Sequence, residues 1–213
     1  MGRYIGAVCR LCRRQGEKLF LKGEKCLSPK CPLIRKSYPP GPRHKRRRGP
    51  FVSEYGKQLS EKQKLQKYYG IREKQFRKYV GETLKSRSKI GDATLLLIKR
   101  LEKRLDNVVF KLGLARSRRA ARQLVSHGYF MVNSRPVNIP SFEVKKGQIV
   151  SLKKTKRNKN LIKNLTLVLK NYQVPDWLKL NQEKLEGKII KEPSGEDIGV
   201  PLDVSAIFEF YSR

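Results

Sequence analysis

The sequence predicts an α+β protein, mostly helical with one small antiparallel sheet, and three observations carry that expectation. Between Ser60 and Val125 apolar residues recur every three or four positions, the spacing of amphipathic helices. Beyond Gly128 the pattern changes to short alternating runs bounded by turn residues, the signature of strands. Ahead of both lies an arm, ending at Cys31, that holds all 4 cysteines. With 213 residues, 38% of them hydrophobic, the chain has the material for one or two folded domains. No apolar run approaches the ~18 residues of a membrane span, and the first residues lack the apolar stretch of a secretory signal, so a soluble cytosolic protein is expected.

Charge narrows the function classes. Lys and Arg number 50 against 18 Asp and Glu, a formal net charge of +32. So small a body repels itself at that charge, and a large polyanionic partner is needed to neutralise it. Nucleic acid is the default partner. Residues 1 to 50 carry +13 and residues 51 to 170 carry +22, whereas residues 171 to 213 carry −3. The last forty-odd residues therefore belong to a different electrostatic surface, suited to core closure and protein contacts.

Cys9, Cys12, Cys26 and Cys31 are spaced C-x2-C-x13-C-x4-C. Two close pairs are what a tetrahedral zinc ion needs from four thiolates, each ~2.3 Å from the metal. Such a zinc would be structural, because four protein thiolates leave no open position for water. Arg10, Arg13, Arg14, Lys25 and Lys30 nearby would favour thiolate over thiol. Two disulfides, or free thiols, are the competing readings; disulfides suit a small secreted protein, which the composition does not suggest. Next comes a Pro- and Gly-rich segment from Pro39 to Pro50, where Arg43, Lys45, Arg46, Arg47 and Arg48 crowd together with His44. It is expected to be an extended basic linker that binds RNA.

Ser60 and Gln63 have the form of a capping box, so a first helix would carry Leu65, Tyr68 and Tyr69 and stop at Gly70. A second would carry Phe76, Tyr79, Val80 and Leu84. A third, capped by Asp92 or Thr94, would run its apolar face through Leu95, Ile98, Leu101, Leu105, Val108 and Leu112, with Lys99, Arg100, Lys103 and Arg104 facing out. Gly113 would end or bend it. Ser117 then caps a short helix that stops at Gly128. Its apolar positions Ala121, Leu124 and Val125 share one face, so Arg118, Arg119 and Arg122 are expected to project from the other, with Arg116 just ahead of the helix. That face would read phosphates. His127 sits at the helix C-terminus, where positive charge complements the dipole. Three runs, Tyr129 to Val132, Pro136 to Ile139 and Gln148 to Leu152, complete the module as strands.

The stretch RLDNVVFKLGLARSRRAARQLVSHG resembles the RNA-binding module named after ribosomal small-subunit protein four. The likeness to that ribosomal family extends over nearly the whole chain, through GRYIGAVCRLCRRQG, SEYGKQLSEKQKLQKYYGIREKQFRKY, VPDWLKLN and FEFYSR. Ser134 departs from it, since the family commonly has Gly in this Asn-Gly hairpin turn. The cysteine set is also variable within the family. What the resemblance implies is a non-enzymatic structural component of the small ribosomal subunit, cytoplasmic, that binds naked ribosomal RNA at a helix junction of the 5′ domain and nucleates its folding. Contacts with ribosomal protein five that bear on decoding accuracy, and with messenger RNA at its entry channel, follow from the same likeness. So does the domain plan: 1–50 as zinc knuckle and basic linker, 51–104 with 171–213 as a discontinuous helical domain, and 105–170 as an inserted RNA-binding module. The runner-up is a fragment of an RNA-modifying enzyme carrying the same module, but no nucleotide-binding glycine loop or Ser, His and Asp constellation is present. A zinc-ribbon DNA-binding regulator is third, and lacks a base-reading helix.

Overall fold

A computed structural model describes residues 4–41, 53–85, 90–156, 169, 172–194 and 203–212. The chain divides into two compact units, one of residues 1–94 with 200–213 and one of residues 95–199, and the cut falls inside a single helix.

In the first unit α1 (Cys9–Gln15), α2 (Glu24–Leu27) and α3 (Pro32–Arg35) form the cysteine arm. They are followed by α4 (Glu54–Tyr69) and α5 (Glu73–Lys85). The cap of α4 is Ser53, whose hydroxyl accepts from the Gly56 N–H at 3.2 Å. The helix therefore starts two turns before the Ser60 box; Ser60 lies mid-helix and donates to Gln15 Oε1 at 2.9 Å, tying α4 to α1. It does end at Gly70, which takes the left-handed conformation (φ 64°) while the Ile71 N–H closes onto the Gln66 carbonyl at 3.0 Å. The final helix, Val204–Ser212, here α9, lies along α4 and touches α5. Leu65, Phe76, Val80 and Ile207 are wholly buried, and aromatic pairs Tyr55–Phe210 and Phe76–Tyr211 join the helices at 5.6 and 6.1 Å between ring centroids.

The second unit takes over within α6 (Ile90–Glu102). Because α6 begins at Ile90, Asp92 and Thr94 are inside the helix and do not cap it. The single long helix expected through Leu112 is two. Arg104 is extended (ψ 136°), and a separate α7 (Leu105–Lys111) follows. The break has a hydrogen-bond cause. The first N–H groups of α7 would be orphans, and the incoming chain supplies carbonyls: Leu105 donates to Phe142 at 2.8 Å and Asp106 to Pro140 at 3.2 Å. In return Val144 donates to the Lys103 carbonyl at 2.9 Å.

Helix α8 (Arg118–Ser126) is capped as expected, with the Ser117 hydroxyl accepting from the Ala120 N–H at 3.2 Å. Both helices pack on an antiparallel sheet of β1 (Phe130–Val132), β2 (Arg135–Pro136), β3 (Ile149–Leu152), β4 (Leu178–Asn181) and β5 (Glu186–Ile189) in the order β2-β1-β3-β5-β4. Strands β4 and β5 correct the expected domain plan. Residues 171–213 do not go together to the helical domain: β5 pairs with β3 through Ile149↔Lys188 and Val150↔Gly187, while only α9 joins α4. Residues 95–104 likewise belong to the second unit, and the arm belongs to the first. One core unites α7, α8 and the sheet, centred on Val108, Leu112, Val125, Phe130, Val150, Trp177 and Ile189. Among the described residues no helix is long and apolar enough to cross a membrane.

Candidate nucleic-acid interface and cysteine arm

The arginines of the α7–α8 region do not form the one outward face that helical spacing suggests. Arg104, expected at the surface, is 2% exposed, and its Nε and Nη2 donate to the two oxygens of Asp106 at 3.1 and 2.7 Å. Arg122 is half-buried and donates from Nη1 to the same carboxylate at 3.2 Å. Arg118 is 8% exposed; its Nε donates to Asn107 Oδ1 at 2.8 Å, and the guanidinium lies 4.5 Å from the centre of the Phe110 ring. Asn107 in turn donates to the carbonyl and to Oε2 of the buried Glu102, at 3.0 and 2.7 Å. These are two buried relays, Arg104–Asp106–Arg122 and Arg118–Asn107–Glu102, and they hold α7, α8 and the end of α6 in one geometry.

The expected phosphate face is thereby corrected. A buried guanidinium is held by internal acceptors, and Arg104 and Arg118 are placed inside the unit, not on an outward face. Arg116 and Arg119 remain exposed, one on each side of the Ser117 cap, and the solvent-facing stripe of α8 is Arg119, Gln123 and Ser126. His127 is exposed at the C-cap of α8. Lys103 is also diverted: it donates to Glu192 at 2.8 Å, and Lys99 donates to the other oxygen at 2.9 Å. Hydrogen bonds from Lys103 and then Lys99 hold the Glu192 carboxyl down to about 2. The acidic tail thus neutralises part of the basic surface. Other exposed cations of this unit include Arg135, Lys145, Lys146 and Lys154 in the strands and their connections. Arg43, His44, Lys45, Arg46, Arg47 and Arg48, the expected basic linker, lie outside the described residues.

The hairpin turn between β1 and β2 forms despite Ser134. Asn133 and Ser134 both take positive φ, 47° and 65°, the pair of left-handed residues that a two-residue hairpin turn demands. Asn133 locks it by donating its N–H to the Ile149 carbonyl and accepting the Ile149 N–H on Oδ1, each at 2.9 Å.

In the arm, Cys12, Cys26 and Cys31 are buried, Cys9 is half-buried, and all four are free cysteines. The Lys22 N–H donates to Cys26 Sγ at 3.3 Å. Burial pushes the Cys12 thiol up, against a backbone hydrogen bond from Leu19 that lowers it, with Cys26, Cys9 and Cys31 adding to the rise. The expected thiolate-favouring cations are not decisive there. Arg13 turns away, donating to the carbonyls of Lys36, Tyr38 and Pro39 at 3.1, 3.0 and 3.4 Å and stacking 4.8 Å from the Tyr38 ring centre. Among the described residues no three Cys, His, Asp or Glu side chains stand close enough to hold a metal ion.

A strongly basic chain with two helices laid on a small antiparallel sheet, joined to a separate helical unit, defines the class of RNA-binding-module proteins that the sequence pattern implied. Residues 103–150 match the S4 domain family, and residues 3–102 match the family described as ribosomal protein S4/S9 N-terminal domain. Proteins called small ribosomal subunit protein uS4 are similar along their full length. Those of Halothermothrix orenii, Thermoanaerobacter sp. and Thermus thermophilus are 49%, 48% and 48% identical over 213 residues, covering 100% of both chains. The chain belongs to the uS4 family of small ribosomal subunit proteins.

Proposed function

We propose that this chain is a structural component of the small ribosomal subunit in the cytoplasm, held there by binding ribosomal RNA. The observation that carries the reading is the similarity to uS4 proteins over 100% of the chain, at 49% identity to that of Halothermothrix orenii. The charge of +32 and the exposed Arg116 and Arg119 beside the α8 cap support it chemically. Catalysis has no part in it. In the finer reading, the protein binds the 5′ domain before other proteins and nucleates its folding. It then touches ribosomal protein five and the incoming messenger RNA.

The test is binding of the full chain to deproteinised small-subunit ribosomal RNA. It should bind 1:1 with strong salt dependence and should discriminate this RNA from transfer RNA, because phosphates give affinity to any RNA while the shape of a folded junction gives selectivity. Replacing Arg116 and Arg119 with Ala should weaken binding and flatten the salt slope by about two, with the melting temperature unchanged. Equal affinity for every RNA would refute the reading.

A structural zinc in the arm belongs to the same proposal. The donor chemistry suits a thiophilic ion, with four free cysteines, three of them buried, and backbone N–H groups directed at Cys12 and Cys26, but the side chains would have to draw closer than they stand here to hold it. Cys9, Cys12, Cys26 and Cys31 would hold it, and when bound it would cross-link α1 to α2 and α3. Metal analysis of reduced protein should give one zinc per chain, and chelation should expose the arm to protease while α4, α5 and α9 stay folded. Four thiols alkylated at once in metal-free, natively prepared protein would exclude it.

A further inference from the structure

The cysteine arm and α4 share one unit although their charges oppose contact. From Cys9 to Lys36 the arm holds nine basic side chains and two acidic ones, Glu17 and Glu24, and α4 adds four lysines against two glutamates. The repulsion is visible where α1 faces α4. Desolvation lowers the pKa of Lys67, and Arg14 of α1 and then Lys62 lower it further by like charge. Something must hold the arm against that push.

Two polar contacts cross the seam. Ser60 donates to Gln15 Oε1 at 2.9 Å, and the Lys64 ammonium lies 2.7 Å from Glu17 Oε2. Only 6% of the Lys64 side chain is exposed, and Glu61, one turn back on the same helix, stands at 3.8 Å. An ammonium so far from water is held by its carboxylates, and removing the nearer one is a large defect. Glu17 reaches it because Gly16 ends α1 in the left-handed conformation (φ 77°) and turns the chain off the helix. Within the arm Leu19 is wholly buried, and Arg13 gathers the carbonyls of Lys36, Tyr38 and Pro39, which ties α1 to the residues after α3. None of these contacts uses a cysteine sulfur.

We propose that Glu17 and Lys64 form an electrostatic latch that docks the cysteine arm onto α4, with Gln15 and Ser60 fixing its register, and that this docking needs no metal. Lys64 is a positioning residue: it sets where the arm sits, while the cysteines set how the arm closes on itself. The latch works against the charges beside it. With the pair formed, Arg14 and Lys67 are kept near each other despite their repulsion. With the pair broken the same charges drive the arm off α4, and salt weakens that drive, since exposed charges are screened over about 10 Å at 0.1 M and about 3 Å at 1 M. The latch goes beyond the ribosomal reading and stands without the zinc.

Hydrogen exchange on the full chain, read by mass spectrometry, tests it. In Glu17→Gln and in Lys64→Met the amides of α1 should exchange at least about tenfold faster than in the wild type at low salt, while α5 and α9 keep their protection. The excess should shrink at 1 M salt, and the double variant should be no looser than either single one, because the two side chains act as one pair. Wild-type protein stripped of metal by a chelator under reducing conditions should keep α1 protected, with new protease sensitivity confined to the stretch around α2. Unchanged α1 exchange in both single variants would overturn the latch. So would a chelated wild type that releases α1 as fully as the variants do, since a metal and not the ion pair would then dock the arm. A chain that takes up no zinc yet keeps α1 protected would refute the zinc reading and support the latch. Should Lys64→Met fold poorly, Glu17→Gln decides, because it alters a side chain that is 45% exposed.

Discussion

Replacing Asp106 with Ala strips two hydrogen bonds from the guanidinium of Arg104 and one from that of Arg122. Arg104 cannot escape to water, being 2% exposed and bridged through its backbone to Glu143. The variant therefore removes a buried carboxylate to which a buried guanidinium donates twice, a defect that costs about 3–5 kcal/mol. A unit of residues 95–199 is of ordinary domain size, for which 1 kcal/mol moves the melting temperature by about 4–8 °C. The second unit should thus melt at least about 12 °C lower, ahead of the first. The assay is calorimetry or denaturant unfolding, resolved by near-ultraviolet signal from Trp177, the single tryptophan, which is buried in that unit. The control is the pair Arg104→Met with Asp106→Leu, which removes both charges and should recover most of the loss, since a buried ion pair adds little over an apolar pair of similar volume. A cost below about 1 kcal/mol for Asp106→Ala would mean that the relay is solvated. Arg104 and Arg122 would then be available to phosphates, and the division between structural and RNA-facing arginines would fall.

Three further outcomes follow from individual residues. Ser134→Gly should raise the stability of the second unit by about 1 kcal/mol, because Gly accepts the φ of 65° at no steric cost; an unchanged unfolding midpoint would mean the turn relaxes. Gly187→Ala should destabilise by about 1–3 kcal/mol, since a Cβ there runs into the side chain of Leu112, itself wholly buried with nowhere to swing; a neutral result would show slack in the core. Glu192 has its carboxyl lowered from the ordinary value to about 2, so its tether to Lys103 and Lys99 contributes above about pH 4.5 and is lost as pH falls towards 2. The pair is half exposed, so Glu192→Gln should cost no more than about 1 kcal/mol at neutral pH, and its deficit relative to wild type should vanish in acid; a deficit that persists at pH 2 would mean that the charge is not its source.

Much of this architecture is legible from the residues. Ser117 announces α8, Gly70 ends α4, and the Asn133-Ser134 dipeptide marks the hairpin, because caps and turns are set by local chemistry that a short window contains. Non-local hydrogen bonds are not. An apolar spacing continuous from Leu95 to Leu112 reads as one helix, and only the arrival of Pro140 and Phe142 at the N–H groups of Asp106 and Leu105 divides it. Strands β4 and β5 carry a usable signal in the alternation Leu178, Leu180 and Gly187, Ile189, but their acidic surroundings give the segment the character of a tail.

The arginines show most clearly why a charge pattern underdetermines a site. Arg118 and Arg119 are neighbours of identical type, yet one is 8% exposed and the other faces solvent, and what separates them is the pair of acceptors on α7 and α6. Asn107 and Glu102 give no signal in the sequence, since each alone is an ordinary polar residue in a helix. Placed together in a buried cluster they draw Arg118 inward, because its donors find fixed acceptors there and its flat face finds Phe110. In a chain of +32, then, a basic residue is evidence for RNA contact only after its local acceptors are counted. A cation that has a buried carboxylate is holding the fold, and a cation left beside other cations is the one that an RNA phosphate can stabilise.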